Sequence, residues 1–386
     1  MAVTVEPEQF DLGSVHSGLL DCIQVNLAVL ADHHYGPGAH LRLGARLDFG
    51  SWAGADGLPT VDPPLTAQLT TATGLLGLRV ASRERLTRGE LLAALRKDGG
   101  VRYAVADAYL LPWLPYHRHA HMEHSFLMAA GPDGWHVTDA YRSDTAWGTA
   151  TPGHWVLADD DLAELASVEV IELVPVGARP VDALPPAHTA DSAAVAGYLA
   201  AYDACADRGR AVDQLTVETW LLARARKLHA AYRALFARGA AEAAAERAHL
   251  RAWDKVVEQT YLAHRRVSRG HAEPPGVVDR LREALAADLT VFGGSHPTAS
   301  PAAPGPVPAA EDALRRRVAA VAGAVLGVPP AALLDGSSFD SFASFSSFRL
   351  IEIIERLESE LGTEFDADDL VPANLRRVDD LCRIAR

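Results

Sequence analysis

Lysine is nearly missing from this 386-residue chain: only Lys97, Lys227 and Lys255 occur, and acids outnumber bases to leave a net charge of −14. That balance excludes nucleic acid or an anionic membrane as the main partner. Cysteine is equally scarce. Cys22, Cys205 and Cys382 are odd in number and far apart, so neither a disulfide framework nor a paired metal–thiolate motif is present. No run reaches the eighteen apolar residues that a membrane span requires. The opening MAVTVEPEQF has neither the basic nor the apolar region of a secretory signal. These absences lead us to expect a cytoplasmic protein. What the chain does hold is 49% hydrophobic and 22% charged residues, enough for two or three domains with real cores.

The sharpest compositional break is residues 293–310, GGSHPTASPAAPGPVPAA. Pro, Gly, Ala and Ser dominate it without apolar periodicity, which describes an extended, semi-rigid linker. A softer break lies near RPVDALPPAHT, Arg179 to Thr189. Before it, strand and helix patterns alternate, and Tyr103–Leu110 and Val168–Val176 read as strands. After it, apolar residues recur only at helical spacing. The expected layout is therefore an α+β domain over 1–180, an all-α region over 190–292 covering a cleft, the linker, and a helical domain over 311–386.

Two local patterns in the first region carry chemistry. Asp21-Cys22-Ile23-Gln24 precedes the apolar VNLAVLA, and an N-cap Asp with Gln three residues later is a capping box. It places Cys22 at a helix start, where free N–H groups and the macrodipole favour a thiolate. Further on, Pro132-Asp133-Gly134 divides two strand-like runs. Pairing Ala130 with Trp135 puts His124 and Asp139 on one face as diagonal neighbours, the relation a carboxylate-oriented general base needs. Gln24 is a candidate oxyanion donor, in competition with its capping role. His117, His119, His121 and His124 lack a regular ligand spacing for a metal, so no metal is assigned; they read as a polar loop, some of it lining a substrate entrance. Cys205 and Cys382 have neither cap nor matching base and are assigned to structure.

The C-terminal segment holds a serine in a specific frame: Ser347-Phe348, then Glu352-Ile353, Leu357-Glu358 and Leu361-Gly362. It resembles the second helix of acyl or peptidyl carrier proteins, which implies a four-helix bundle with 4′-phosphopantetheine on Ser347. Two residues depart from that pattern, Ser346 where carriers usually have Asp and Phe348 where they have Leu. Asp340-Ser341-Phe342 offers the Asp-Ser pair, but no Glu-Ile follows at the right distance. Fourteen acids and nine bases give residues 311–386 a charge of about −5, suited to cationic partner surfaces.

The segments GLLDCIQVNLAVLADHHYG and VADAYLLPWLPYHRHAHMEHSFLMAAGPDGWHVTDAY resemble the butirosin biosynthesis protein H family over residues 10 to about 175. The resemblance implies a papain-like fold and transfer of an acyl group from a carrier thioester to an amine. Cys22 would be the nucleophile, His124 the base and Asp139 the orienting acid; Asp107 matches an acidic position of unassigned role. The expected partners are a phosphopantetheinyl transferase, an adenylating or other loading enzyme, and an amine acceptor in antibiotic-like metabolism. One alternative shares these residues, a thioesterase or peptidase with water as acceptor; another, a non-catalytic carrier and docking protein, is opposed by the intact set of Cys22, His124 and Asp139.

Overall fold

The structure is a computed structural model and describes residues 10–54, 57–177, 184–189, 191–236, 239–293, 309–334, 337–339, 342, 353–354, 356–358, 360–361 and 375–385. The chain divides into two compact units, Met1–Pro301 and Ala302–Arg386. The regions expected at 1–180 and 190–292 thus belong to one unit. The linker expected at 293–310 lies mostly outside the described residues.

The first unit begins with α1 (Gln24–Tyr35), a 3₁₀ segment (Ala39–Ala45) and three short strands, β1 (Arg46–Asp48), β2 (Trp52–Ala53) and β3 (Pro59–Thr60). Next come α2 (Leu65–Leu76), β4 (Leu78–Thr87), α3 (Arg88–Asp98) and β5 (Arg102–Asp107). Then follow β6 (Glu123–Ala130), β7 (Trp135–Asp139), β8 (Ser143–Thr145), β9 (Gly148–Ala150), β10 (Gly153–Leu157), β11 (Ser167–Pro175) and β12 (Ala187–Thr189). Four helices complete the unit: α4 (Ser192–Ala204), α5 (Arg208–Arg233), α6 (Ala240–Val267) and α7 (Val277–Val291).

Six strands form an antiparallel sheet in the order β10-β7-β6-β5-β11-β4. The β6–β7 hairpin pairs Ala130 with Trp135 and runs in register to Leu127 and Thr138, as the Pro132-Asp133-Gly134 turn predicts. Gly134 closes that turn at φ 147°, and a Cβ there would meet the Leu157 carbonyl oxygen at 2.6 Å, so only glycine fits. The strand expected at Tyr103–Leu110 stops at Asp107, because the Asp107 carboxylate accepts the Tyr109 N–H and starts a 3₁₀ turn.

One core packs α1 against α2, α3 and the sheet, with Leu27, Leu76, Tyr103, Phe126 and Ile171 almost fully buried. Each such side chain contributes about 1.5–3 kcal/mol. Leu228 and Tyr232 of α5 join this core. Their approach depends on Gly44, where a Cβ would meet the Leu228 carbonyl oxygen at 2.4 Å. The His229 ring donates from Nδ1 to the Gly44 carbonyl at 2.7 Å in the same contact. A second core joins α4, α5, α6 and α7 around Tyr202, Leu215, Trp253 and Leu281.

In the second unit, α8 (Ala309–Leu326) is followed by a 3₁₀ turn (Pro330–Leu333), helical residues between 353 and 361, and a last helix (Val378–Ile384). Val318, Ala322, Leu333, Phe339, Ile353, Leu357 and Leu381 form its core. Arg315 and Asp379 tie α8 to the last helix at 2.6 Å. Cys382 is buried in this core.

Candidate active site

The Asp21 carboxylate makes the capping bonds the sequence predicts, but α1 begins at Gln24 with Ile23 in the N-cap position, so Cys22 lies in the turn before the helix and not at its first position. One Asp21 carboxylate oxygen accepts the Ile23 and Gln24 N–H groups at 2.8 and 2.7 Å, and the Asp21 N–H donates to the Gln24 side-chain oxygen at 3.4 Å. Its carbonyl accepts the Val25 N–H at 3.1 Å. Cys22 therefore sits in the turn leading into α1. Arg224 of α5 pins this turn from outside, donating to the Ser17, Leu20 and Arg142 carbonyls while its guanidinium lies 4.0 Å from the centre of the Trp220 ring.

The strand β6 lies across that helix start. Ser125 Oγ donates to the Cys22 carbonyl at 2.6 Å, and Tyr103 OH to the Ile23 carbonyl at 2.8 Å. The Cys22 thiol points to the Glu123 carbonyl, 3.3 Å from Sγ. Glu123 immediately precedes His124 in β6, so the thiol contacts the strand that carries the imidazole although about a hundred residues separate them.

His124 is fully buried. Its Nε2 donates to Asp139 Oδ2 at 2.7 Å, which fixes the tautomer and turns Nδ1 into an acceptor. That Nδ1 is buried and has no hydrogen-bond partner. The Tyr141 ring stands edge-on at 5.0 Å. Asp139 takes two donors on each oxygen. Oδ2 accepts from His124 and from Trp113 Nε1 at 3.1 Å; Oδ1 accepts from Asn26 Nδ2 at 3.1 Å and from the Tyr141 N–H at 2.9 Å. Burial alone would raise this carboxyl, but the neighbouring His124 and the hydrogen bonds outweigh it and hold the acid below its usual range.

Asn26, Trp113 and Ser125 escape the sequence reading. Asn26 has a visible signal: it is the one polar residue in VNLAVLA, four residues after Cys22 and so on the same helix face. Its side chain also donates to the Ser125 carbonyl and accepts the Ala140 N–H. It thereby ties the thiol helix to both strands of the hairpin. Trp113 and Ser125 carry no comparable mark.

A further expectation fails. The helix start was to favour a thiolate at Cys22, yet burial, joined by the charges of Asp21, Asp62 and Asp139, pushes this thiol well above its ordinary value. The capped turn is present, but burial, with three carboxylates adding to it, outweighs its dipole. At neutral pH the sulfur is a thiol, and its proton must pass to a base as it reacts.

Cys22 opens into a cleft of about 520 Å³. Its lining includes Asp21, Asp62 and Glu123, and Arg210, Gln214, Val217 and Trp220 of α5. Gln24 lines a different, smaller pocket with Trp52 and Arg224, and its carbonyl is engaged by Asp21. The histidines of the 117–124 segment take separate partners. His117 lies 3.9 Å from Glu164, His119 stacks on Trp147, His121 binds Asp107 at 2.6 Å and His124 binds Asp139. Of the first three, His121 lines the cleft. Among the described residues no group of three or more His, Cys, Asp or Glu is placed to hold a metal ion. Cys205 caps α4 at its C-terminus, half-buried, with its thiol on the Asp207 carbonyl. No helix among the described residues is long and apolar enough to cross a membrane.

Ser347, like Ser341 and Ser346, lies outside the described residues. The positions that follow it do fit a carrier helix, since Ile353, Ile354 and Leu357 are all buried in the core of the second unit. Residues 316–384 match the family described as phosphopantetheine attachment site. The C-terminal part of the chain is therefore a carrier-protein domain, with 4′-phosphopantetheine attached covalently to a serine. Such a domain works with a phosphopantetheinyl transferase and acyl-loading partners in carrier-linked biosynthesis. No curated protein matches the chain.

Proposed function

We propose that residues 1–301 act as a cysteine acyltransferase of papain-like arrangement, similar to the butirosin biosynthesis protein H family, served by the chain's own carrier domain. The observation that carries this reading is the state of His124. Nε2 is held by Asp139, while Nδ1 is buried without a partner on the residue next to the carbonyl that the Cys22 thiol contacts. A buried, unpaired ring nitrogen is unfavourable unless a reacting proton arrives there. Papain-like enzymes share the layout of a thiol at a helix start and a His–carboxylate pair on adjacent strands.

Ser347 is the residue we assign to the phosphopantetheine arm, which supplies the acyl group as a thioester when bound. The residues of the first unit then act in order. Cys22 Sγ attacks the thioester carbon as its proton passes to Nδ1 of His124. Asp139 stabilises the imidazolium and holds the ring in place. His124 would return that proton to the departing sulfur, which leaves the acyl group on Cys22. An amine attacks the Cys22 thioester, His124 takes its proton and returns it to the departing sulfur, and an amide results. Backbone N–H groups at the turn of Cys22 are the candidates to hold the oxyanion. The Gln24 side chain is engaged in the cap and lies in another pocket.

The test is to incubate the full chain with an acyl-pantetheine thioester and map the adduct by peptide mass. Acylation of Cys22, lost in Cys22→Ala and strongly slowed in His124→Ala, is the expected result. A chain that never gains an acyl group on Cys22 removes this reading.

A further inference from the structure

The acidic lining of the Cys22 cleft remains unexplained by this chemistry. Asp21 is accounted for as the helix cap. Asp62 is not: it follows Thr60 and Val61, which Glu218 of α5 grips by accepting the Thr60 hydroxyl at 2.7 Å and the Val61 N–H at 2.6 Å. Glu218 is buried and also accepts from Tyr198 and Gln214. A buried carboxylate thus fixes the loop that presents Asp62 to the cleft. Gln68 also lines the cleft; it is 5% exposed, its amide nitrogen donates at 3.2 Å to the carbonyl of Pro63, the residue after Asp62, and its side-chain oxygen is buried with no partner. An unpaired acceptor, tied to the residue beside Asp62, and the Asp62 carboxylate thus belong to the lining of the cleft that holds the candidate nucleophile, and both call for a donor.

We propose, resting on the transferase reading above, that Asp62 is a catalytic residue for the second half-reaction: with the Gln68 oxygen it holds the ammonium group of the incoming amine and takes one proton from it. An ammonium ion cannot attack a thioester, because its nitrogen has no free electron pair. Transfer of one proton to Asp62 yields the free amine. A second proton passes through His124 to the Cys22 sulfur as the C–N bond forms and the C–S bond breaks, and the third stays on the amide nitrogen. Asp62 then releases its proton to water.

The surroundings suit that role. Desolvation by the surrounding cleft, reinforced by Asp21, Glu218 and Glu123, raises the Asp62 carboxyl to about 7 although part of the residue stays exposed, which makes it a better proton acceptor than an ordinary aspartate. Asp62 keeps accessible surface, but it lines the cleft and that surface is open to a ligand there. The lining also holds Arg210 on α5, and His121, whose ring is bound to Asp107. Against three lining carboxylates they leave the cleft acidic. The site therefore selects an acceptor that is cationic in solution over a neutral alcohol or thiol.

Binding can be measured without turnover. Isothermal titration of the full chain at low salt and about pH 8, where Asp62 is ionised, compares putrescine with butanediol of the same length. We expect putrescine to bind, butanediol not to bind, and both Asp62→Asn and Gln68→Leu to weaken putrescine tenfold or more. Asp62→Asn alters an exposed loop residue and preserves its size, so it keeps the fold even where Gln68→Leu does not. Putrescine binding that is unchanged in Asp62→Asn, or a wild-type chain that does not distinguish putrescine from butanediol, overturns the proposal. Acylation of Cys22 by a pantetheine thioester is scored separately. A chain that binds putrescine through Asp62 but is never acylated keeps the cation site and loses the transferase; an acylated chain indifferent to Asp62→Asn does the reverse.

Discussion

Asp139 Oδ2 and His124 Nε2 lie 2.7 Å apart with both side chains sealed from solvent, and each Asp139 oxygen accepts two donors. An asparagine cannot reproduce this set, because its amide nitrogen would face two donors in place of an oxygen. Asp139→Asn should therefore lower the rate of Cys22 acylation by at least about a hundredfold, the lower range for a positioned base. It should also lower the melting temperature, since buried donors are left unpaired. Single-turnover acylation followed by mass, together with thermal denaturation, reads both effects. An Asp139→Asn protein with wild-type acylation would show that His124 needs no orienting carboxylate.

The parts of this arrangement that were legible in the sequence are those fixed over a few residues. The Asp21–Gln24 capping bonds and the Ala130–Trp135 register each depend on a turn and its immediate neighbours, and both appear as read. What escaped depends on contacts across the chain. Asn26 reaches Ser125 and Asp139, and Glu218 grips Thr60 and Val61, at separations of roughly a hundred residues or more. No local periodicity encodes such pairs. The same blindness produced the error at Cys22: the helix start is local, whereas the burial that outweighs it, and the charges of Asp62 and Asp139 that add to it, come from elsewhere in the fold. The carrier frame was legible because its spacing is local, running over about sixteen consecutive residues.

The raised Cys22 thiol gives a pH dependence of definite sign. A thiol pushed above its ordinary value stays protonated at neutral pH and reacts with iodoacetamide progressively faster as pH rises through the alkaline range. Removing one of the carboxylate charges that raise it, in Asp62→Asn, should shift the alkylation profile of Cys22 to lower pH. Removing the base, in His124→Ala, should slow reaction at neutral pH. Peptide-resolved alkylation rates between neutral and alkaline pH measure this. A rate at Cys22 that is flat across the range, as for a preformed thiolate, would contradict the burial argument.

Away from the cleft, the helical layer depends on a buried ion pair. Arg226 donates from Nε and Nη2 to Asp288 Oδ2 at 3.0 and 2.6 Å, while Asp288 Oδ1 accepts from His249 and Trp253 at 2.7 and 3.1 Å. Burial opposes the charge of Asp288, but Arg226 and these donors overcome it and lower the carboxyl. Arg226→Met leaves that carboxylate without its cation and should destabilise the first unit by about 3–5 kcal/mol. A lowered carboxyl contributes stability above the ordinary aspartate range and loses it as pH falls through the lowered value. The difference between wild type and Arg226→Met in denaturant unfolding should accordingly shrink toward strongly acidic pH. Equal unfolding midpoints at neutral pH would mean that the pair adds nothing.

The last prediction concerns the division of labour along the chain. Ser347 should carry the phosphopantetheine after coexpression with a phosphopantetheinyl transferase, and Ser347→Ala should remove it from the intact mass. Persistence of the modification in Ser347→Ala, with loss in Ser341→Ala, would move the assignment to the other serine. The proline-rich segment at 293–310 should act as a tether that raises the local concentration of the thioester to about millimolar, the range for short flexible links. Cleavage near Pro301 should then slow acylation of Cys22 without abolishing it, and excess free carrier domain should restore the rate. His124→Ala should resist that rescue at any carrier concentration, because the missing element is a proton acceptor and not proximity. Mixing Cys22→Ala with Ser347→Ala protein asks whether the arm of one chain serves the thiol of another. Product from the mixture shows transfer between chains, and its absence confines transfer to one chain. If the loaded, excised carrier never acylates Cys22 at any concentration, the two units do not share a reaction, and the carrier domain serves an enzyme other than the one it is fused to.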